Sequence, residues 1–215
     1  MDGENTSRNE VKKQRVEQAI QRNKTKKVLW VVFTLVILAG AAGGAVWYNQ
    51  RNIAEGPGVF YPEVGKEHIP LGSPPSVSYN SNPPSSGAHF NSPANWGVYD
   101  YEVRDQIFIH NLEHGGVWIA YRPTISQEAV GALQSIVDEV GGARGAKIVM
   151  APRPLNDADI AVVAWSRVLK FDLADSVFTE QQKEDVREFY LQFRNSGPEG
   201  FVPSTIPGID PKSVQ

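Results

Sequence analysis

An uninterrupted apolar run sets the first constraint on this chain. Residues 28–48 read VLWVVFTLVILAGAAGGAVWY, 21 positions without a charge. At ~1.5 Å of rise per residue a helix of that length covers about 31 Å, against a hydrocarbon core of about 30 Å. Trp30 stands near one end and Trp47 with Tyr48 at the other, and such rings favour headgroup depth. The expectation is one transmembrane helix over 28–48, with the lipid bilayer as its partner. Arg22, Lys24, Lys26 and Lys27 precede the run, and Arg51 follows it. Positive-inside asymmetry then puts segment 1–27 in the cytoplasm and the rest outside, as a single-pass protein of the cell membrane. The rival reading is a cleaved signal peptide, for which the small residues of 39–45 offer A-x-A-like sites. Against it, the preceding segment is long and the apolar run exceeds the usual stretch of about 7–15 residues. Either way the following domain is exported. Gly40 and Gly44 form a GxxxG pair, readable as a helix contact or as ordinary small residues of a spanning helix.

Charge and cysteine content narrow the function classes. Segment 1–27 holds eight Lys/Arg against four Asp/Glu; the remainder holds thirteen against twenty. An acidic main domain lacks the positive face that nucleic acid requires, so nucleic acid is not an expected partner. Cysteine is absent. That excludes disulfides, thiolate nucleophiles, cysteine zinc sites and iron–sulfur clusters. The outer domain must hold together by packing alone.

Beyond the apolar run the pattern divides in three. Segment 52–106 is loop-rich: eight prolines forbid long helices, while seven interleaved aromatics between Phe60 and Tyr101 argue against a disordered linker. Segment 107–194 reads as an α+β core. Strands are expected over 106–110 (QIFIH), 116–121 (GVWIAY), 147–151 (KIVMA) and 160–168 (IAVVAWSRV). Helices are expected over 126–140, ended by Gly141 and Gly142, and over 179–193 with Thr179 as N-cap. Segment 195–215 is an irregular tail rich in Gly and Pro. The predicted fold class is α+β, a mostly antiparallel sheet with two packed helices, preceded by the loop-rich segment and one transmembrane helix. The GGARG string at 141–145 follows a helix rather than a strand, so it is not a phosphate loop.

The chemistry-bearing feature is a histidine cluster. His68, His89, His110 and His114 fall within 47 consecutive residues, each beside turn residues. Neutral imidazole is the commonest metal ligand, and several in one region can build a site. His110, Glu113 and His114 spell H-x-x-E-H, the inverted zincin pattern. That chemistry needs a helix to project both rings from one face, and the expected strand at 106–110 leaves no room for one. Metalloprotease-like hydrolysis with Glu113 as base is therefore a minor reading. A strand–turn–strand can still aim both rings at one point, joined by His68 and His89 from the loops. The candidate ligands are His68, His89, His110, His114 and Glu113, suiting Zn²⁺ or Cu²⁺. Met150 is a strand methionine whose plain reading is core. Ser85 and Ser86, in PPSSGAH, lack the spacing of a nucleophile elbow. The alternative for all four histidines is structural, each pinning a loop by hydrogen bonds. The domain would then be a non-enzymatic module that meets another cell-envelope protein.

At these residues the chain resembles the bacterial domain of unknown function 3105 family. The resemblance rests on His68–Ile69, on PPSSGAH at 83–89, on the G-x-Y of 97–99 and on HNLEHG at 110–115, and it covers residues 65 to 165. It implies an N-terminal membrane anchor and no established activity. Its marker residues coincide with those chosen on chemical grounds.

Overall fold

Strands apolar on both faces need cover on both sides, and that sets the architecture. In the computed structural model, residues 24, 26, 27, 29–44 and 56–214 are described. The chain divides into two units, Met1–Glu55 and Gly56–Gln215. The larger holds β1 (Val59–Phe60), β2 (His68–Ile69), β3 (His89–Phe90) and β4 (Gly97–Val98), then α2 (Asp105–Glu113), β5 (Val117–Tyr121) and α3 (Gln127–Glu139). It continues with α4 (Gly142–Ala146), β6 (Ile148–Pro152), β7 (Ile160–Ala164), β8 (Arg167–Phe171) and α5 (Glu180–Phe193). Helix α1, in the smaller unit, covers residues 29–44.

Six strands form one sheet in the order β1-β8-β7-β5-β6-β4. Its β1/β8, β8/β7 and β7/β5 pairs are antiparallel. The β5/β6 and β6/β4 pairs are parallel. The sheet is thus mixed, with three antiparallel pairs and two parallel ones that the sequence did not announce. The cause is the chain between β5 and β6, where α3 and α4 provide the crossover that a parallel pair demands. Segment 160–168 is not one strand: Ser166, at φ 62°, turns the chain between β7 and β8.

Alternation then sorts side chains to two faces. Ile119, Met150 and Val162 pack with Leu133 and Val137 of α3 and with Phe189 of α5. Trp118, Val149 and Val163 pack on the other side with Phe108 and Leu112 of α2 and with Phe90. The helices over 126–140 and 179–193 are present, the second with its expected N-cap and the first with one that was not among the expectations. Ser126 accepts from Ala129 N, and Thr179 forms a capping box with Gln182.

The third packed helix is the correction that matters. Residues 106–110 lie in α2, not in a strand, and every residue from Ile107 to Glu113 is buried. A short helix buried all round has no apolar–polar period, so its sequence resembles that of a central strand. Asp105 anchors its first turn by a two-pronged pair with Arg153, with Nε and Nη2 each 2.8 Å from a carboxylate oxygen. Gly115 stops it at φ +79°, where an added Cβ would come 2.5 Å from Asn195 Cα. That conformation and closeness suit glycine alone.

Residues 56–104 carry only two-residue strands: β1 and β4 form the two edges of the sheet, while Ile69, Ala88 and Phe90 pack on the α2 side. The Asn111 side chain on α2 pins this segment at Ala94, accepting from its N–H and donating to its C=O, both at 2.9 Å. The following C-terminal residues close on the far end of α2. Asn195 N donates to Gly115 O, and Glu199 N to Glu113 O, each at 2.8 Å.

In the smaller unit, Leu29 to Leu38 of α1 present large apolar side chains more than half exposed. Among the described residues no helix is long and apolar enough to cross a membrane. Val28 and residues 45–48, the ends of the expected span, lie outside the described residues, as does most of segment 1–27.

Candidate metal centre

Two elements bring the histidines together. Strands β2 and β3 pair in parallel with His68 opposite His89, so both rings leave the same face. On α2, positions three and four apart share a face, which groups His110, Glu113 and His114. The helix packs its His110 ring against the strand pair. Ring centroids are 4.9 Å apart for His68 and His110, nearly parallel, and 5.0 Å for His89 and His110.

One ligand atom from each of His68, His89, His110 and Glu113 lies within 4.8 Å of the others. Such a set can hold a metal ion. Glu113 Oε2 is 3.0 Å from His89 Nε2 and 3.2 Å from His68 Nε2. His114 is not in this set of four. Its Nε2 lies 3.2 Å from His110 Nε2 and 3.4 Å from Glu199 Oε2. His89 and Glu113 are sealed from solvent, whereas the His68 side chain is 42% exposed and marks the open side.

Backbone carbonyls fix the tautomers of the two inner rings. His89 Nδ1 donates to Gly87 O at 2.8 Å, and His110 Nδ1 to Phe90 O at 2.7 Å. A carbonyl oxygen only accepts, so both Nδ1 atoms carry hydrogen. In the neutral rings both Nε2 atoms are then bare lone pairs, aimed into the cluster beside a carboxylate. Metal-binding histidines are typically oriented in this way by their second nitrogen. The turn supplying the Gly87 carbonyl needs glycine: φ is +120°, and an added Cβ would lie 2.8 Å from the Tyr79 ring.

The charge states fit the same chemistry. Burial, reinforced by the neighbouring rings and opposed by the Phe90 hydrogen bond, lowers the His110 pKa to about 4. Burial alone would raise the Glu113 pKa, but hydrogen bonds from the protonated rings of His89 and His68, with the charges of His89 and His110, outweigh it and hold the carboxyl at about 2. His114 is lowered by burial against the opposing pull of Glu199 and Glu113. At neutral pH the set therefore offers a neutral His110 and an anionic Glu113.

A pH dependence follows for the metal-free domain. The folded His110 pKa lies below the ordinary 6.5, so between about pH 6.5 and 4 the unfolded chain binds more protons. Stability is fully present above 6.5 and declines as pH falls towards 4, by up to about 3 kcal/mol from this residue. Glu113 acts lower, between its ordinary 4.5 and about 2. Urea titrations of chelator-treated protein at pH 7 and 4.5 should show the first loss, and His110→Gln should remove most of it. Equal pH slopes in the two proteins would refute the assignment.

Other expectations resolve plainly. Met150 is fully buried on the sheet face against α3 and α5, away from the α2 face, so it is a core residue. Ser85 and Ser86 are fully buried and bonded within the wrap: Ser85 O accepts from Ser166 N, and Ser86 Oγ from Val64 N. H-x-x-E-H does lie on a helix, which lifts the objection raised from sequence. In the zincin pattern, however, the glutamate acts as base beside the ligands, whereas Glu113 stands within the ligand set. Glu199 was not anticipated; it lies 85 positions beyond His114 in a turn with no local signal.

Neither the curated proteins nor the solved structures give a match to this chain. Residues 73–204 match the family model described as Protein of unknown function (DUF3105). His68 precedes the matched stretch, while His89, His110, Glu113, His114 and Glu199 lie inside it. Because the match covers more than half of its length, the chain belongs to the DUF3105 family.

Proposed function

We propose that the outer domain binds a divalent transition-metal ion, with His68, His89, His110 and Glu113 as ligands, while residues 28–48 hold the chain in the membrane. One observation carries the metal reading. Two imidazoles have their Nδ1 hydrogens committed to Gly87 O and Phe90 O, and in the neutral rings the Nε2 lone pairs converge beside the Glu113 carboxylate with no hydrogen to offer it. A cation among these acceptors removes the repulsion and uses every lone pair. Three nitrogens and one oxygen, without sulfur, suit Zn²⁺ or Cu²⁺.

The membrane reading is supported by the uncharged run, its basic N-terminal flank and the exposed apolar side chains of α1. It places the domain outside the cytoplasm, where its partners are lipid, metal ions and other envelope components. One preparation tests both parts. The full chain, expressed without an affinity tag, should stay with membranes through an alkaline wash and carry stoichiometric zinc or copper after supplementation. Release by the wash removes the anchor; absence of both metals removes the centre.

A second reading is favoured by the short contact of Glu113 with His89. A proton in place of a metal would make His89 an imidazolium, donating to Gly87 O and to Glu113 Oε2. The cluster would then be a buried ion pair holding β2 and β3 to α2, within an interaction module of the envelope. The same metal analysis separates the two, because this reading expects no bound ion.

A further inference from the structure

We infer that the centre accepts a second cation, held by His110, His114 and Glu199; this rests on the reading of the cluster as a metal site. Two ligands on one ion at ~2.0–2.1 Å stand about 3.0–3.4 Å apart. Four contacts here fall in that range: two meet at Glu113 Oε2 and two at His114 Nε2. At the first, Glu113 Oε2 is 3.2 Å from His68 Nε2 and 3.0 Å from His89 Nε2. At the second, His114 Nε2 is 3.2 Å from His110 Nε2 and 3.4 Å from Glu199 Oε2. Each triad so formed has two imidazoles and one carboxylate.

His114 lies outside the group whose ligand atoms are all within 4.8 Å, so a single ion does not collect all six donors. An imidazole nitrogen offers one lone pair. With one ion bound, His110 completes the first set; with two, it serves the second beside His114 and Glu199. The two carboxylates then divide their charge between two dications.

Glu199 is positioned by the fold. Its N–H donates to Glu113 O at 2.8 Å, and Asn195 N donates to Gly115 O at 2.8 Å. Lys147 Nζ donates to His114 O at 3.0 Å and to Gly200 O at 2.8 Å. The turn is therefore tied to the end of α2 on both sides of Glu199. Lys147 spends these contacts on carbonyls, and the Glu199 carboxylate faces His114. The side chains of Glu199 and His114 are 43% and 13% exposed, so the second triad opens to solvent.

The test is metal stoichiometry of the full chain in detergent, loaded with Zn²⁺ and desalted, together with the electron paramagnetic resonance intensity after Cu²⁺ loading. Wild type should hold two ions per chain. Glu199→Ala and His114→Ala should each hold one. The copper signal of wild type should fall short of two isolated ions through magnetic coupling, and Glu199→Ala should restore a full single-ion signal. A wild-type content of one ion that both variants keep overturns the second site and leaves the first reading intact; a single ion lost in His114→Ala overturns both assignments. Two ions retained in both variants also overturn it. No bound metal in wild type removes both. Glu199 is exposed enough that its substitution leaves the fold unaffected, which circular dichroism checks.

Discussion

Glu113→Gln abolishes the stabilisation given by the ion of the first set while the metal-free domain stays folded. Glu113 is the one anion in the set of four, and its Oε2 touches two of the three imidazoles. Losing a group that merely orients a ligand costs about 10–100-fold in metal affinity. Losing the charged ligand itself should cost at least about 100-fold. An ion at 100 times its Kd stabilises the folded state by about 2.7 kcal/mol. For a domain of this size that raises Tm by roughly 5–10 °C. Thermal melts of the Glu199→Ala protein with and without Zn²⁺, where only the first set binds, should show this rise, and Glu113→Gln/Glu199→Ala should show none. In the metal-free state the amide is nearly isosteric and can donate to one bare Nε2, which offsets part of the stability that the ionised carboxylate contributes above pH 4.5. The opposite pattern, no metal effect in wild type and a large loss in metal-free Glu113→Gln, would establish the ion-pair reading instead.

Arg153→Ala lowers stability by about 3–5 kcal/mol, the range for breaking a buried ion pair from one side. Arg153 is 5% exposed. Its guanidinium grips both oxygens of Asp105, reaches Asn82 Oδ1 at 2.6 Å and Asn156 Oδ1 at 3.1 Å, and lies over the Trp118 ring. Truncation strands a carboxylate and two amide oxygens together. It also frees the first turn of α2, the helix that carries half of the metal ligands. Urea denaturation should give the stability loss, and a metal titration should give weaker binding although Arg153 touches no ligand. The double variant Asp105→Ala/Arg153→Ala should recover part of the loss, since the unpaired charge is gone. A loss under about 1 kcal/mol would mean that solvent reaches this group freely.

What the sequence disclosed follows from which signals are local. The caps at Ser126 and Thr179 are local, and both helices were legible. Choosing His68, His89, His110, His114 and Glu113 needed only ligand chemistry and turn context, and the fold gathers four of them, with His114 beside His110. What failed was geometry. QIFIH is β-branched and aromatic and is buried on every side, so neither composition nor period separates a helix from a strand there. The wrong choice then argued against the very helix that H-x-x-E-H requires. Of the two parallel pairs, β4 with β6 was hidden because it depends on where a two-residue strand lands. Glu199 was invisible for the same reason. Its place near His114 comes from backbone bonds between the end of α2 and a turn in the tail, and no spacing in the chain encodes that.

The exposed position of His68 bears on how fast an ion would come and go. His89 and His110 are held from behind by main-chain oxygens, and Glu113 sits on a buried helix. His68 and His89 both lie on two-residue strands, but of the four ligands His68 has its side chain open to water. Segments with few buried contacts open far more often than a whole domain unfolds. On the metal reading, residence time is then governed by the lifting of one short strand. The domain could surrender its ion to a stronger acceptor without losing its fold, as a carrier does and a structural metal site does not.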